Sequence, residues 1–437
     1  MSKKVALHNL GCKVNAYEVE AMQQLLEKAG YEIVPFEEGA DIYLINTCTV
    51  TNIADRKSRQ MLHKAKKMNP DAIVVATGCY VQTDTQKLEA DSAVDLILGN
   101  NQKKQIVEAL EEYEKEHAKK VKVIEINKTK EYEELSIGYT AEHVRAYIKV
   151  QDGCNQFCTY CIIPYARGRV RSRKIAEVLE EVRTLAARGY KEVVLTGIHL
   201  SSYGLDFPKE ERESLLSLIQ AVHEVDGIAR IRLGSLEPRI ITEEFMEGIS
   251  ALPKVCPHFH LSLQSGCDKT LKNMNRRYSA PEYAEKCELI RRFYPAPALT
   301  TDVIVGFPGE TDEEFQETVD YLTKLNLYEM HIFKFSPRQG TVAAGMRDQI
   351  GPEIKNQRSD VLLALSEKNK HAYEASFRGE TLEVLIEEKV RRNGKDGYRG
   401  HTERYIDIFV EEECMHRICG REVDIINHIV QIPYGME

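Results

Sequence analysis

Cys154, Cys158 and Cys161 stand in the pattern C-x3-C-x2-C within QDGCNQFCTYCIIPYARGRVRSR, Gln151 to Arg173. The spacing is too tight for a hairpin and too irregular for one helical face. It suits a loop wrapped around a compact inorganic core. A zinc site or a four-thiolate cluster recruits a fourth ligand nearby. Here the next cysteine is Cys256, far along the chain. Three thiolates on a four-iron cluster leave one iron open to an exogenous ligand. The competing reading is three unrelated buried cysteines, each a small hydrophobe.

A second set comes from the N-terminal stretch. VALHNLGC ends at Cys12, DIYLINTC at Cys48 and IVVATGC at Cys79. Each is an apolar run that predicts a short buried strand closing on a cysteine. Between them, Ala16 to Ala29 carries helical spacing and stops at Gly30, and Thr51 to Met68 does so before Asn69-Pro70. Alternating strands and helices imply a parallel sheet, whose ligands bind beyond the carboxyl ends of its strands. Three cysteines at equivalent ends predict a second cluster; a lone cysteine there would be packing.

The elements that must position Cys154 follow. YIKVQ (Tyr147 to Gln151) runs into the cysteine loop. Further strands are expected at Glu192 to Gly197, Arg230 to Ser235, His258 to Ser265, Leu299 to Gly306 and Met330 to Ser336. Helical patterns separate them, so a partial (βα)6 barrel is expected, with its active site at the C-terminal mouth. His258, His260, Ser262 and Gln264 share one strand face. An inward polar face would suit a barrel that holds a ligand. His199, His258 and His260 are open to two roles, structural hydrogen bonding or substrate contact. Glu111 to Glu134 is dense in charge and predicts a helix fraying into a linker, with Val121 to Ile126 as one added strand. From Gly379 the alternation predicts a five-strand β-barrel with a hairpin turn at RRNGKDG.

The chain has 437 residues, 43% hydrophobic and 29% charged, which predicts two or three domains. No run of 18 apolar residues occurs, and MSKKVALHNLGCK lacks a signal-peptide core, so a cytosolic protein is expected. Eleven cysteines in that setting favour metal or catalysis over disulfides. A net charge of −9 restricts nucleic-acid binding to local patches. One is Arg167, Arg169, Arg171, Arg173 and Lys174, which an extended backbone would align as a phosphate-binding strip, unless it is a solvated loop. Arg56 to Lys67 is a second basic stretch. The module from Ala375 has nine Lys and Arg against thirteen Asp and Glu. RNA would there meet an edge made of Lys389, Arg391, Arg392 and Lys395.

The C-x3-C-x-aromatic-C form, with Tyr160 as the aromatic, resembles the radical S-adenosylmethionine (SAM) superfamily. Leu10-Gly11-Cys12-Lys13-Val14-Asn15, Asn46-Thr47-Cys48 and Gly78-Cys79 are similar to the N-terminal domain of the methylthiotransferases. The resemblance covers essentially the whole chain. Lys13-Val14-Asn15 is similar to the branch acting on threonylcarbamoyladenosine in tRNA; the isopentenyladenosine branch usually has Gln-Met-Asn there, and the ribosomal-protein branch Pro-Lys-Asn. The resemblance implies two [4Fe-4S] clusters, on Cys154, Cys158 and Cys161 and on Cys12, Cys48 and Cys79. It implies SAM as the source of a 5′-deoxyadenosyl radical that takes hydrogen from carbon 2 of the modified adenine. A second SAM gives the methyl group, and the N-terminal cluster presents the sulfur.

By the same resemblance Tyr160, Thr196, Gly197, Ser235, Glu237, Gln264, Asp302 and Ile304 contact SAM. Leu195-Thr196-Gly197 departs from the usual Gly-Gly-Glu. Phe335 to Thr341 is similar to the sixth-strand signature, and the last module resembles the RNA-binding TRAM domain. The implied layout is a methylthiotransferase N-terminal domain at 1–112, a linker at 113–140, a radical-SAM domain at 141–371 and a TRAM-like domain at 372–437. The implied partners are a tRNA anticodon loop and a flavodoxin- or ferredoxin-like electron donor, for a monomer without membrane contact. In-class rivals act on isopentenyladenosine or a ribosomal-protein aspartate; outside the class stands a non-catalytic iron–sulfur RNA-binding protein.

Overall fold

A computed structural model describes residues 2–140, 144–419 and 424–435. The first six strands are β1 (Lys4–Asn9), β2 (Glu32–Val34), β3 (Ile42–Thr47), β4 (Ile73–Gly78), β5 (Leu96–Leu98) and β6 (Lys120–Lys122). They form one parallel sheet in the order β2-β1-β3-β4-β5-β6. Helix α1 (Lys13–Lys28) buries Val14, Tyr17, Ala21, Met22 and Leu26 and is followed by Gly30 at φ 89°. Helix α2 (Asn52–Met68) starts where Thr51 Oγ1 accepts from the Ala54 amide at 3.1 Å. Strand alternation divides the core. Tyr43, Ile45, Val74 and Ala76 pack with Leu62 and Ala65 of α2, while Val5, Ile42, Leu44 and Val75 pack with Met22 and Leu26 of α1. The chain reverses direction across the sheet between β1 and β3, the place where open α/β sheets bind ligands. Cys12 follows β1 and Cys48 follows β3.

The charged stretch expected as a linker is laid against its neighbours. β6 completes the first sheet but is shorter than the expected Val121 to Ile126 and starts one residue earlier. Leu135 and Ile137 are buried in the central core, Tyr17 Oη donates to the Leu135 carbonyl at 2.5 Å and Tyr132 Oη to that of Lys149 at 2.7 Å.

The central strands are β7 (Ala146–Asp152), the two-residue β8 (Arg171–Ser172), β9 (Glu192–Gly197), β10 (Arg230–Leu233), β11 (His258–His260), β12 (Ala298–Val305) and β13 (Glu329–Lys334). β7, β9 and β10 run parallel, as do β11, β12 and β13. Parallel bridges Ile231–Val255 and Leu236–Leu261 join the two sets into the expected six-strand partial barrel. Ile148, Val150, Val193, Leu195, Ile231, Leu233, Phe259 and Val303 pack in one core with Val178, Val182, Leu218 and Val222 of the surrounding helices. The alternate positions face inward and are mostly polar: Lys149, Gln151, Glu192, Thr196, Arg230, Arg232, His258, His260, Thr300 and Asp302, with Val194 and Ile304 as apolar exceptions. The lumen is thus a polar chamber.

The last module contains β14 (Thr381–Arg392), β15 (Lys395–Thr402), β16 (Asp407–Glu411) and β17 (Ile429–Pro433), in the antiparallel order β16-β15-β14-β17. Asn393-Gly394 turns with φ 51° and 80°, the two left-handed residues of a tight hairpin. The described residues supply four of the five expected strands, curled into a half-barrel by a register shift at Ile386/Glu388; residues 420–423, expected to begin the last strand, lie outside them. The module closes the amino end of the central barrel. Arg230 donates to the carbonyls of His401 (3.1 Å) and Glu383 (2.8 Å). Arg232 donates to those of Glu403 (2.9 Å) and Thr402 (3.2 Å) while its Nε meets Glu192 Oε1 at 2.7 Å. Tyr405, at φ 68°, stacks with His258 and His401 and takes the guanidinium groups of Arg145 and Arg232 on its ring at 4.9 Å each. Among the described residues no helix is long and apolar enough to cross a membrane.

Arg232 therefore joins two domains through buried groups. Arg232→Leu leaves Glu192, among the described residues, with the longer contact to Arg230 at 3.8 Å and the more distant charge of Arg145. Loss of one partner of a buried pair costs about 3–5 kcal/mol. Urea unfolding should record that loss, and limited proteolysis should cut faster ahead of β14. A loss under about 1 kcal/mol with unchanged proteolysis would show that the plug holds without this arginine.

Candidate functional site

β7 delivers the chain to the barrel mouth and ends at Asp152. Gly153 then turns at φ 71°, and a Cβ there would sit 1.9 Å from the Arg169 carbonyl, so only glycine fits. The Cys154 amide donates to the Gly168 carbonyl at 3.0 Å and the Cys161 amide to that of Cys158 at 3.0 Å. A neighbouring turn braces the loop from outside. The Thr159 amide donates to the Met274 carbonyl (3.1 Å), Thr159 Oγ1 to that of Asn273 (2.8 Å) and Asn275 Nδ2 to that of Phe157 (3.1 Å). Arg276 Nη1 lies 3.3 Å from Cys158 Sγ. Burial first, then the mutual repulsion of thiolates, pushes Cys154 up to about 11 and Cys161 up to about 12. Such thiols ionise only when a positively charged metal takes them. Among the described residues no three Cys, His, Asp or Glu side chains converge on one metal-ion position. The three thiols on one braced loop suit a four-iron cluster, in which each thiolate would grip a different iron.

The second set lies at the carboxyl edge of the first sheet, as expected. Cys12 is exposed, Cys48 half-buried and Cys79 buried. Gly78 precedes Cys79 at φ 98°, with its missing Cβ 2.4 Å from Asn46 Oδ1. Burial, then Cys79, pushes Cys48 up to about 12, and Cys12 adds to the same effect, so the three thiols are neighbours. Asn15 ties the turns together: its Nδ2 donates to the carbonyls of Leu10 (2.7 Å) and Thr47 (3.1 Å).

Two arginines of the barrel hold this edge over the mouth. Arg338, in the Phe335–Thr341 segment, donates to Thr49 Oγ1 (2.6 Å) and Asn52 Oδ1 (2.7 Å) and pairs with Asp55 (2.6 Å). Arg167 reaches Glu18 (2.6 Å), Asn15 Oδ1 (2.7 Å), Asp152 (3.2 Å) and Cys79 Sγ (3.2 Å). Lys149 bridges Glu18 (2.8 Å) and Asp152 (2.6 Å), and Lys103 meets Glu18 at 3.2 Å. Burial alone would raise the Glu18 acid, but Arg167, Lys103 and Lys149 hold it well below the usual carboxylate range.

These contacts correct the expected phosphate strip. Arg167, Arg171 and Arg173 are buried, with Arg171 near Asp152 at 3.7 Å and Arg173 paired with Glu181. Arg167 ends the helix Ile163–Arg167, Arg171 lies in β8 and Arg173 follows it, and the carboxylates they meet offset their desolvation. Arg169 alone is exposed, its guanidinium 4.6 Å over the Phe157 ring. Lys389, Arg391 and Arg392 are exposed on the hairpin as expected, each close to a carboxylate: Glu412 (2.6 Å), Asp396 (3.8 Å) and Asp407 (3.9 Å).

The residues expected to contact SAM gather at the same mouth. Tyr160 and Ile304 pack in one apolar cluster with Phe307 and Phe335. His260 Nε2 meets Asp302 at 3.2 Å, and Gln264, at φ 77°, bridges to Val303. Thr196 and Glu237 are buried, Ser235 is exposed, and Gly197 packs against Gln151. Glu237 Oε1 accepts from Arg239 Nε at 2.7 Å. Sequence reasoning missed Glu18, Lys149, Asp152 and Arg276. A signal existed for the first three: a carboxylate on the apolar stripe of α1 and charges inside an otherwise apolar strand. Arg276 carried none.

His199 sits between these groups. Its Nδ1 meets Ser202 Oγ at 2.7 Å, and its buried Nε2 has no hydrogen-bond partner among the described residues. Burial, then Arg276 and Arg239, lowers it from 6.5 to about 4, so it is neutral near pH 7. The unfolded chain takes up this proton first, so stability falls as pH drops from 6.5 toward 4, by up to about 3 kcal/mol. His199→Asn should flatten that part of the stability–pH curve, and nuclear magnetic resonance should show the wild-type ring titrating near 4. A ring titrating at its ordinary value would refute this placement.

Comparison with known proteins gives a consistent result. Residues 4–99 match the uncharacterized protein family UPF0004, and residues 148–322 the radical SAM superfamily. The chain is 42% identical to the threonylcarbamoyladenosine tRNA methylthiotransferase MtaB of Bacillus subtilis (strain 168), over 98% of this chain and 93% of that protein. It is 42% identical to the protein of that name from Aquifex aeolicus, over 93% and 96%. It is 35% identical to the tRNA-2-methylthio-N(6)-dimethylallyladenosine synthase of Thermoanaerobacter pseudethanolicus, over 95% and 89%. In fold it is similar to the radical SAM methyltransferase TsrM of Kitasatospora setae, with TM-score 0.57 and 17% identity over 76% of this chain and 73% of that one. With both family models matched and the two 42%-identical relatives sharing one name, the chain belongs to the radical-SAM tRNA methylthiotransferase family, in its threonylcarbamoyladenosine branch.

Proposed function

We propose that this protein methylthiolates carbon 2 of N6-threonylcarbamoyladenosine beside the anticodon of tRNA. The observation that carries the reading is the pair of cysteine sets at the facing carboxyl edges of two parallel sheets, latched by Arg167 and Arg338. When bound, a [4Fe-4S] cluster on Cys154, Cys158 and Cys161 supplies one-electron cleavage of SAM, and one on Cys12, Cys48 and Cys79 supplies sulfur. The protein's own groups bind and orient. Tyr160 and Ile304 give an apolar wall for an adenine, and Thr196, Glu237, Gln264 and Asp302 give polar partners for a ribose and an amino-acid tail.

The threonylcarbamoyl group carries a carboxylate, whereas an isopentenyl group is apolar. Lys13 stands near Arg145, Arg232 and Tyr405; its surroundings lower its pKa by desolvation, with Tyr405 opposing and Arg145 adding. Arg145 and Arg232 are each paired with a carboxylate, Glu387 and Glu192, so Lys13 is the cation that would meet the charged substrate. Arg169 and the hairpin bearing Lys389, Arg391 and Arg392 are the tRNA-facing basic groups. A flavodoxin- or ferredoxin-like protein in the cytosol gives the electron, and the enzyme acts as a monomer.

Nucleoside mass spectrometry of tRNA from cells with and without the gene tests the reading. Deletion should remove 2-methylthio-N6-threonylcarbamoyladenosine and leave its unthiolated precursor. Loss of the isopentenyl product instead would replace the substrate assignment. Complementation with Lys13→Met should restore the product poorly, and in vitro kcat/KM should fall roughly ten- to hundredfold, the worth of a hydrogen bond to a charged group.

The basic strip, as corrected, makes a narrower prediction for tRNA affinity. Arg169→Ala should reduce the slope of log affinity against log salt by roughly 0.7 to 0.9, one phosphate contact. An unchanged slope would leave Arg169 as a solvated side chain only.

A further inference from the structure

We propose that Arg167 tunes the N-terminal cluster: its buried Nε–H, 3.2 Å from Cys79 Sγ, holds a charge-assisted hydrogen bond on one of that site's three thiolates. The proposal rests on the reading that Cys12, Cys48 and Cys79 carry a [4Fe-4S] cluster. A donor on a ligating sulfur withdraws electron density from it, which raises the reduction potential of the iron and weakens the sulfur as a nucleophile.

The geometry singles out Cys79. Arg167 is fully buried, so water does not compete for its Nε–H, and five further contacts with Glu18, Asp152 and Asn15 fix the guanidinium plane. Asn100 Nδ2 also approaches Cys79 Sγ, at 3.7 Å, while donating to the Ala166 carbonyl at 2.7 Å. Among the described residues, Arg276 on Cys158 is the matching guanidinium contact at the other cysteine set.

Charge balance points the same way. Around Glu18 and Asp152 stand Arg167, Lys149, Lys103 and Arg171, four cations against two carboxylates. With Glu133 nearby as a third carboxylate, the cations still outnumber the carboxylates. An excess of positive charge in a dry interior needs an anion. A cluster with three thiolates carries net negative charge and lies where the excess is. Arg167 comes from the loop that also carries Cys154, Cys158 and Cys161, so the setting of one site depends on the fold of the other.

The test uses the full chain with Cys154, Cys158 and Cys161 replaced by alanine, leaving only the N-terminal cluster in the spectra. Arg167→Lys, Arg167→Gln and Arg167→Met are compared in that background. Each is reconstituted anaerobically, assayed for iron, checked by circular dichroism, and titrated with dithionite against redox mediators under electron paramagnetic resonance. The midpoint potential should fall in all three, least for lysine, which keeps the charge, and most for methionine. For methionine the ratio of reduced to oxidised cluster at fixed potential should drop at least tenfold, about 59 mV for one electron. Arg276→Gln should leave this potential in place. If Arg167→Met fails to fold, lysine and glutamine decide, since both keep a polar group against Glu18. Native folding and iron content with an unmoved potential would overturn the proposal while the N-terminal cluster stands. Absence of iron from the triple-alanine protein, with wild type saturating near four irons, would overturn the second cluster and this inference with it.

Discussion

The structure depends on one buried ionic knot, in which Glu18 and Asp152 are gripped by Arg167, Lys149 and Lys103. Glu18 lies on the first helix, Lys103 beyond the fifth strand, and the others on the strand and loop that bear the radical-SAM cysteines. Removing any one partner strands charge in a dry interior, which is among the most expensive single changes a fold can suffer. The knot therefore fixes two domains in one relative setting with little sliding freedom. An apolar interface of equal area would hold them together without dictating register.

That fixed setting matters because neither sheet makes a complete site. The first sheet brings Cys12 and Cys48 to its switch point and Cys79 to the next strand end. The central barrel brings Cys154, Cys158 and Cys161 to its mouth. Arg338 supplies a second latch between them, from the sixth-strand loop to the turn after Cys48. At the opposite end, Tyr405 and the paired Arg232 and Glu192 plug the barrel with the last module. Polar inward residues, which would be a defect in a packed core, here give a chamber closed at one end.

The basic strip shows how charge in a sequence misleads. Arg167 ends a short helix, Arg171 lies in a two-residue strand and Arg173 follows it, and buried carboxylates hold each inside: Glu18 and Asp152 for Arg167, Asp152 for Arg171 and Glu181 for Arg173. Only Arg169 points to solvent. Counting lysine and arginine measures a patch's potential charge; partners elsewhere in the chain decide how much of it remains available. The hairpin bearing Lys389, Arg391 and Arg392 repeats the lesson at the surface, where nearby carboxylates offset each cation.

The amino-acid sequence by itself determined the strand–helix alternation, both cysteine sets and their place at strand ends, the polar face of the His258 strand and the Asn393-Gly394 turn. Each is local: hydrophobic period, a glycine where the backbone must turn, and ligand spacing act within a few residues. The linker's added strand was legible only in part: Val121 to Ile126 was expected, and the strand formed is Lys120–Lys122. Only the tertiary structure decided which charges are interior. Glu18 finds Arg167 across 149 residues and Asp55 finds Arg338 from another domain. A single sequence records a charge but not its partner, because pairing over that distance is set by how whole domains dock and no local period encodes it.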